Sequence, residues 1–466
     1  MDRTRIPRRT LAGIAGLLAG VAAGTAVAVV AGAAVAHRAA TGALEPQIEA
    51  AHLPPLLTTP GEHVELRYDV YCLGGEDDPE GGTACDADGT VFVRAGDSGG
   101  FREVPLSVDA AASEHRYVAR IPGEIAGSPA GFSYYAVLRS ATSGAFLTLP
   151  AGGAAAPQRS LRLERSVDVR LGAQRFGAIR RADIRVAEAA WGNGPNEVGL
   201  EQGRNLTPIG GSTFDVDPGG TVTVLDEANG RLLRWRPGER APARIPLGSD
   251  GALADMALAA DGTVYLLEYA SAPGASPLVR IFGADGRAKG TVEVAERTAS
   301  QIRIGPRGPF VLQHPSGQWM PIVDDGSPLA VQTQRQRGRA GRPLPGGGEV
   351  VVLRRGSEIR AALVGAGGVR RSWRISSETP LAEVQLAEPL GSRLLLVARV
   401  FTDDEDEFLV LLLDQKGVAR QFALDSADWA ETAPLARFRL AGSSLYQLGS
   451  TPAGLFVDRF DLEVTS

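Results

Sequence analysis

The chain has 466 residues, 44% hydrophobic and 22% charged; that is a globular composition, too long for one compact core and unlike that of a disordered chain. Its 58 glycines and 30 prolines, with only 6% aromatic residues, favour many turns and hence many strands. With 48 Lys+Arg against 54 Asp+Glu the formal charge is −6, so no basic excess exists to hold a polyanion, and nucleic acid is excluded as a partner.

Arg3, Arg5, Arg8 and Arg9 precede an uncharged stretch from Leu11 to Ala36. A cleaved signal needs only ~7–15 apolar residues and a spanning helix ~20, so the length favours an anchor. Ala34-Val35-Ala36 is nevertheless a fair cleavage site, and Arg8-Arg9-Thr10-Leu11 resembles a loose twin-arginine signal. Residues 1–36 are therefore read as a signal peptide or transmembrane anchor, the chain's only membrane contact, and either places the remainder in the extracytoplasmic bacterial envelope. Without them the chain carries a charge of −9. The two cysteines, Cys72 and Cys85, are expected to form a structural disulfide in that oxidising compartment. Closing so short a loop stabilises a fold by ~3 kcal/mol on the chain-entropy view.

In the run from His63 to Cys72, apolar residues fall at 64, 66, 68, 70 and 72, one buried face of a strand. Val91 to Val93, Tyr117 to Ile121, Phe132 to Leu138, Phe146 to Leu149 and Leu161 to Leu163 follow at turn-separated intervals. This spacing predicts a β-sandwich over 50–165. The run from Gly131 to Arg139 (GFSYYAVLR) resembles the penultimate strand of fibronectin type III and related immunoglobulin-like domains.

From about residue 181 a repeat takes over. Strands following a turn begin at Gly220, Gly262, Gly308, Gly348, Ser392 and Ser443, at offsets of 42, 46, 40, 44 and 51. Six units of this size, each with room for four short strands, predict a six-bladed β-propeller over 181–466. The last unit shows three clear strands, and Asp183 to Ala189 can supply the fourth, closing the ring. The whole is thus all-β: an immunoglobulin-like sandwich, then a propeller, preceded by an apolar N-terminal helix.

The best unit runs from Gly192-Asn193-Gly194 and Gly199 through a strand ending at Asp226 to Asn229 and Arg231. This pattern resembles an NHL repeat; the second unit matches in part, with Glu268 for the Asp and Arg280 in the Arg position. The resemblance implies the propeller fold and little about reaction, since NHL-like propellers range from partner binding to lyase chemistry.

Chemistry-bearing strings are few. Gly96-Asp97-Ser98-Gly99-Gly100 resembles the nucleophile segment of chymotrypsin-like proteases, with His52 upstream as a faint base, but the spacing is wrong and an ordinary turn accounts for it. Of five histidines the propeller holds only His314, and no pair has metal-ligand spacing. The clusters Glu76-Asp77-Asp78 with Glu80, and Asp403 to Glu407, lack the alternation a cation loop needs and read as solvated hairpin turns; Asp86 to Gly89 is too short for one. Trp235, Trp319 and Trp373 recur late in their units and are expected to pack between blades.

Arg335, Arg337, Arg339 and Arg342 form the one strongly basic run beyond residue 36, on a connection expected to be exposed and able to clamp carboxylates or an anionic glycan. The favoured function is a non-catalytic extracytoplasmic binding module that holds a protein or glycan partner on a propeller face, with no cofactor, metal or catalytic residue assigned. The alternative is a propeller lyase or hydrolase with its site in the central channel. Convergent carboxylates and amides around a bound cation would support the enzyme, and a channel plugged by apolar side chains the binding module.

Overall fold

A computed structural model describes residues 47–73, 83–84, 86–109, 115–203, 207–247, 253–269, 275–295, 299–313, 317–431 and 436–462. The apolar N-terminal stretch, Cys85, the Glu76–Glu80 cluster and His314 lie outside them.

Two sheets build the N-terminal sandwich. One runs in the order Gln47–Ala51, Glu65–Leu73, Arg116–Arg120, Ser107–Val108. The other runs Leu57–Thr58, Gln158–Arg162, Phe132–Ser140, Ala87–Ala95, Arg102–Pro105, with Phe146–Leu149 also on the Phe132 strand. The period-two pattern decides which faces meet: Val64, Leu66, Tyr68 and Val70 from the first sheet bury against Val91, Val93, Phe132, Tyr134, Ala136 and Leu138 from the second. Each fully buried large side chain here contributes about 1.5–3 kcal/mol.

Downstream, six sheets form a ring. The first holds Thr213–Val216, Val222–Asp226, Arg231–Trp235 and Ala243–Pro246; the second Leu253–Leu258, Val264–Glu268, Leu278–Phe282 and Ala288–Glu293. The third has three strands, Ala299–Gly305, Gly308–Gln313 and Gln318–Pro321. The fourth contains Glu349–Arg355, Glu358–Gly365 and Gly368–Ser377, the fifth Leu381–Leu390, Arg393–Phe401, Asp406–Asp414 and Gly417–Asp425. The sixth is Phe438–Ala441, Ser444–Thr451 and Gly454–Asp461, with Ile184–Trp191 antiparallel to its third strand. First strands of neighbouring sheets pack side by side, and that of the sixth returns to that of the first. Between the third and fourth sheets the short segment Arg342–Pro343 fills the ring, with Pro343 against Gly305. This is a six-bladed propeller, closed by the strand expected to close it.

The fourth blade departs from expectation. Its outermost strand is Val167–Leu171, parallel to Gly368–Ser377 and drawn from upstream of the repeat. The Gly348 strand, aligned by sequence with the second strand of the other units, is the innermost full strand of its sheet, because only Arg342–Pro343 precedes it there. From Leu171 the chain runs along the outside of the fifth blade, where Ile179 bridges Ala423, and enters the sixth as Ile184–Trp191. One segment therefore fastens three blades.

The sandwich is wedged against this ring. Leu57, Leu161 and Leu163 pack on Val351, Ala362 and Val364 of the fourth blade in one buried cluster. Beside them Glu62 accepts from Arg360 Nη1 at 2.6 Å and pairs with Arg355. Gln318 Nε2 of the third blade donates to Ala156 O at 3.2 Å. The sandwich edge thus lies where the short third blade leaves the fourth uncovered.

Candidate functional site

Each blade sends a polar side chain toward the axis. Asp255, on the innermost strand of the second blade, is the hub: its Oδ1 accepts from Thr213 Oγ1 at 2.9 Å and from Arg439 Nη2 at 3.2 Å. Its Oδ2 accepts from Ile302 N at 3.1 Å and from Arg303. Arg439 Nε lies 3.6 Å from Asp215 Oδ1, and Asp215 is held by the Leu258 and Val216 amides at 2.9 Å each. On the far side Arg342 Nη2 meets Glu388 Oε2 at 2.7 Å and Ala387 O at 2.8 Å. Three arginines face three carboxylates, so the channel is neutral as a set.

Burial sets the electrostatics. It pulls Arg439 down to about 10, helped by Arg303 and opposed by Asp255, Asp215 and Glu388. Arg303 suffers the same desolvation, but its closer contact with Asp255 outweighs it and its affinity for the proton rises. Burial raises Asp215 and Arg439 opposes that rise. Among the described residues each of these six charges has an opposite charge within 3.6 Å, so the set presents neither an unpaired carboxylate to act as a base nor the apolar plug that the binding reading anticipated. The channel is lined by ion pairs, of which Arg439 and Asp255 are buried. Among the described residues no group of three or more His, Cys, Asp or Glu could hold a metal ion.

The basic run is exposed only in part and begins in a helix. Val331–Gln336 is a short helix whose Gln334 is buried, accepting from Ala295 N at 3.0 Å and donating to Glu293 O and Leu329 O. Arg335 donates to Ala295 O at 2.8 Å. Arg337 meets Asp324 at 2.6 Å, and Arg339 meets Glu349 at 3.3 Å while pairing backbone to backbone with Trp319. Arg342 belongs to the channel. The four therefore diverge: Arg337 and Arg339 keep exposed guanidinium groups, and Arg342 is committed to Glu388. Long-range carboxylate partners, invisible in a local charge count, account for the difference.

The repeat motif is a lock. Asp226 is fully buried and accepts from Gly199 N at 2.8 Å, Asn229 Nδ2 at 2.9 Å and Arg231 Nε at 2.7 Å. Arg231 Nη2 continues to Gly194 O and Glu197 O, and Asn229 Nδ2 to Gly192 O. The six-residue pattern thus pins the Gly192–Gly199 turn to the first blade. Glu268 and Arg280 repeat the pairing at 2.5 Å in the second. Glu407, grouped by sequence with a solvated turn, is instead buried and receives Gln174 Nε2 at 3.1 Å and the Gly177 amide, docking the segment that fastens the blades. Trp235, Trp319 and Trp373 are buried in blade packing as expected.

The protease-like string is a turn: Ser98 is exposed, while His52 lies in the sandwich core with both nitrogens occupied. His52 Nδ1 donates to Arg67 O at 2.8 Å, Nε2 accepts from Tyr134 OH at 2.7 Å, and the ring stacks on Tyr68 at 4.4 Å. Burial lowers its pKa to about 4. Cys72 sits half-buried on the Glu65–Leu73 strand, and its expected partner lies outside the described residues.

No protein-family profile matches the chain, and no curated protein matches it. Among solved structures, Kuenenia stuttgartiensis hydrazine synthase is similar at 13% identity over 55% of this chain and 84% of that one, with a TM-score of 0.33. A PQQ-bound aldose sugar dehydrogenase from Streptomyces coelicolor gives 13%, 60%, 98% and 0.32. A streptogramin B lyase gives 8%, 59%, 97% and 0.29. At these TM-scores the likenesses carry no part of the fold assignment, which rests on sheet order and on the ring of innermost strands.

Proposed function

We propose that this chain is a non-catalytic interaction module of the extracytoplasmic envelope, exported or anchored by residues 1–36, braced by a Cys72–Cys85 disulfide and built of an immunoglobulin-like sandwich fused to an NHL-like propeller. One observation carries the reading: in the channel, where a propeller enzyme would work, Arg303, Arg342, Arg439, Asp215, Asp255 and Glu388 are all paired with one another as a neutral set. Parting the buried Arg439–Asp255 pair to admit a substrate would cost several kcal/mol per ion. Recognition then falls to the propeller faces, whose loops come from every blade. Arg337 and Arg339 remain available as a secondary contact for an acidic protein or anionic glycan, although each already has a carboxylate neighbour.

The test is an affinity capture from native cell envelopes with the full-length protein, comparing parent, an Arg337→Glu/Arg339→Glu variant and an Asp255→Asn variant. The reading expects a specific partner retained by the parent and by any Asp255→Asn variant that stays folded. A low-molecular-weight compound consumed by the parent and spared by folded Asp255→Asn would establish the lyase or hydrolase alternative.

A further inference from the structure

Two of the five tryptophans stay only partly covered: Trp191, which packs on the core between the first and sixth blades, and Trp429 beside it. Trp191 ends the Ile184–Trp191 strand of the sixth blade, where Val198 of the short outer strand Glu197–Val198 pairs with it, and Trp429 lies in the connection leading to that blade's innermost strand. Their rings meet at 5.8 Å, tilted by 36°, and both remain half-buried. Trp191 Nε1 donates to Thr451 O at 2.8 Å. Gly210 lets the backbone lie against the other end of that indole, since a Cβ there would come within 2.6 Å of Cη2. The pair is thus fixed before any partner arrives. Beside it Ile209, 44% exposed, bridges Glu201 on one side and Glu431 on the other, and Pro208 O accepts from Glu431 N at 2.7 Å. Both glutamates are exposed. On the second blade Tyr269 is 48% exposed, within reach of the charges of Asp255 and Glu227. The nearby Arg231 and Arg437 are engaged with Asp226 and with Ser426 O. The sandwich packs on the third and fourth blades, so this patch on the sixth, first and second is not covered by it.

We propose that the seam between the sixth and first blades docks a basic peptide segment of a protein partner, with an arginine or lysine against the Trp191–Trp429 pair and its charge received by Glu201 and Glu431. Indole faces attract cations and the flanking carboxylates repel anions, so the same patch disfavours an acidic glycan. The inference rests on the binding reading above and adds the partner's chemistry and its place.

The test titrates full-length protein with an arginine- and lysine-rich dodecapeptide, its glutamate counterpart and a neutral chitohexaose, following tryptophan fluorescence at low and high salt. The basic peptide is expected to perturb the fluorescence and the others not. Trp429→Ala and Glu201→Gln/Glu431→Gln should each weaken binding by roughly tenfold, the second also flattening the salt dependence, with melting curves near the parent's. Equal affinity for parent and both variants would overturn the proposal, because the peptide would then be held by general charge. A response to chitohexaose alone would also overturn it, in favour of a glycan. A native partner that cross-links only near Arg337 and Arg339 would overturn this site while leaving the non-catalytic reading intact.

Discussion

Arg439 Nη2, on the innermost strand of the last blade, lies 3.2 Å from Asp255 Oδ1 on the innermost strand of the second. The contact passes over Thr213 on the innermost strand of the first blade, which bonds to both, and joins parts of the chain that no local pattern connects. Around it every blade contributes a polar group, so ring closure and channel chemistry are one problem. The predictions below test how that closure, and the sandwich wedged beside it, hold the molecule together.

Leu57 is fully buried between the sandwich and Val351, Ala362 and Val364. Leu57→Ala should cost about 2–5 kcal/mol. All five tryptophans lie at residue 191 or later, so tryptophan fluorescence reports on the propeller alone. If sandwich and propeller unfold as one unit, this sandwich mutation lowers the urea midpoint of the tryptophan signal. An unmoved tryptophan transition would mean that the two unfold independently.

Asp226→Ala should destabilise by about 3 kcal/mol, because it leaves the buried Arg231 guanidinium without its carboxylate and frees the Gly192–Gly199 turn. Glu268→Ala should cost less, since Arg280 is more exposed than Arg231. Comparing the two melting curves checks the order; equal losses would show that the partners' burial does not set the cost.

These two sites show what the sequence could and could not reveal. Asp226, Asn229 and Arg231 act within six residues, so their pattern is visible as a motif. The closing strand Ile184–Trp191 is legible for the same reason: its own alternation and the deficit in the last unit point to each other. The channel set is different. Each blade contributes one or two polar residues at positions where a strand tolerates either kind, and only the ring brings them together. Arg342 has basic neighbours in sequence but is governed by Glu388, and Glu407 ends an acidic run but is governed by Gln174 and Gly177. The Val167–Leu171 strand carries no sign that its partner lies two hundred residues on.

His52 gives a pH dependence with a definite sign. Its pKa is about 4 in the fold and about 6.5 in an unfolded chain. Below about pH 6.5 the unfolded chain takes up a proton that the folded sandwich refuses. The contribution is therefore complete above that pH and is lost as pH falls toward about 4, amounting to about 3 kcal/mol. Urea midpoints between pH 7.5 and 4.5 should fall more steeply for the parent than for His52→Gln. Parallel profiles would place the acid sensitivity elsewhere.

The proposal that the channel charges close the ring and do no chemistry stands or falls on the melting temperature of Asp255→Asn. Removing that carboxylate's charge leaves Arg303 and Arg439 buried without their shared counterion, a loss of about 3–5 kcal/mol. A clear drop in melting temperature is expected, with an Arg439→Met/Asp255→Leu pair recovering part of it. Residues kept for catalysis commonly sit at the expense of stability, so their replacement leaves a protein equally or more stable. An Asp255→Asn variant that melts at or above the parent's temperature would contradict the claim.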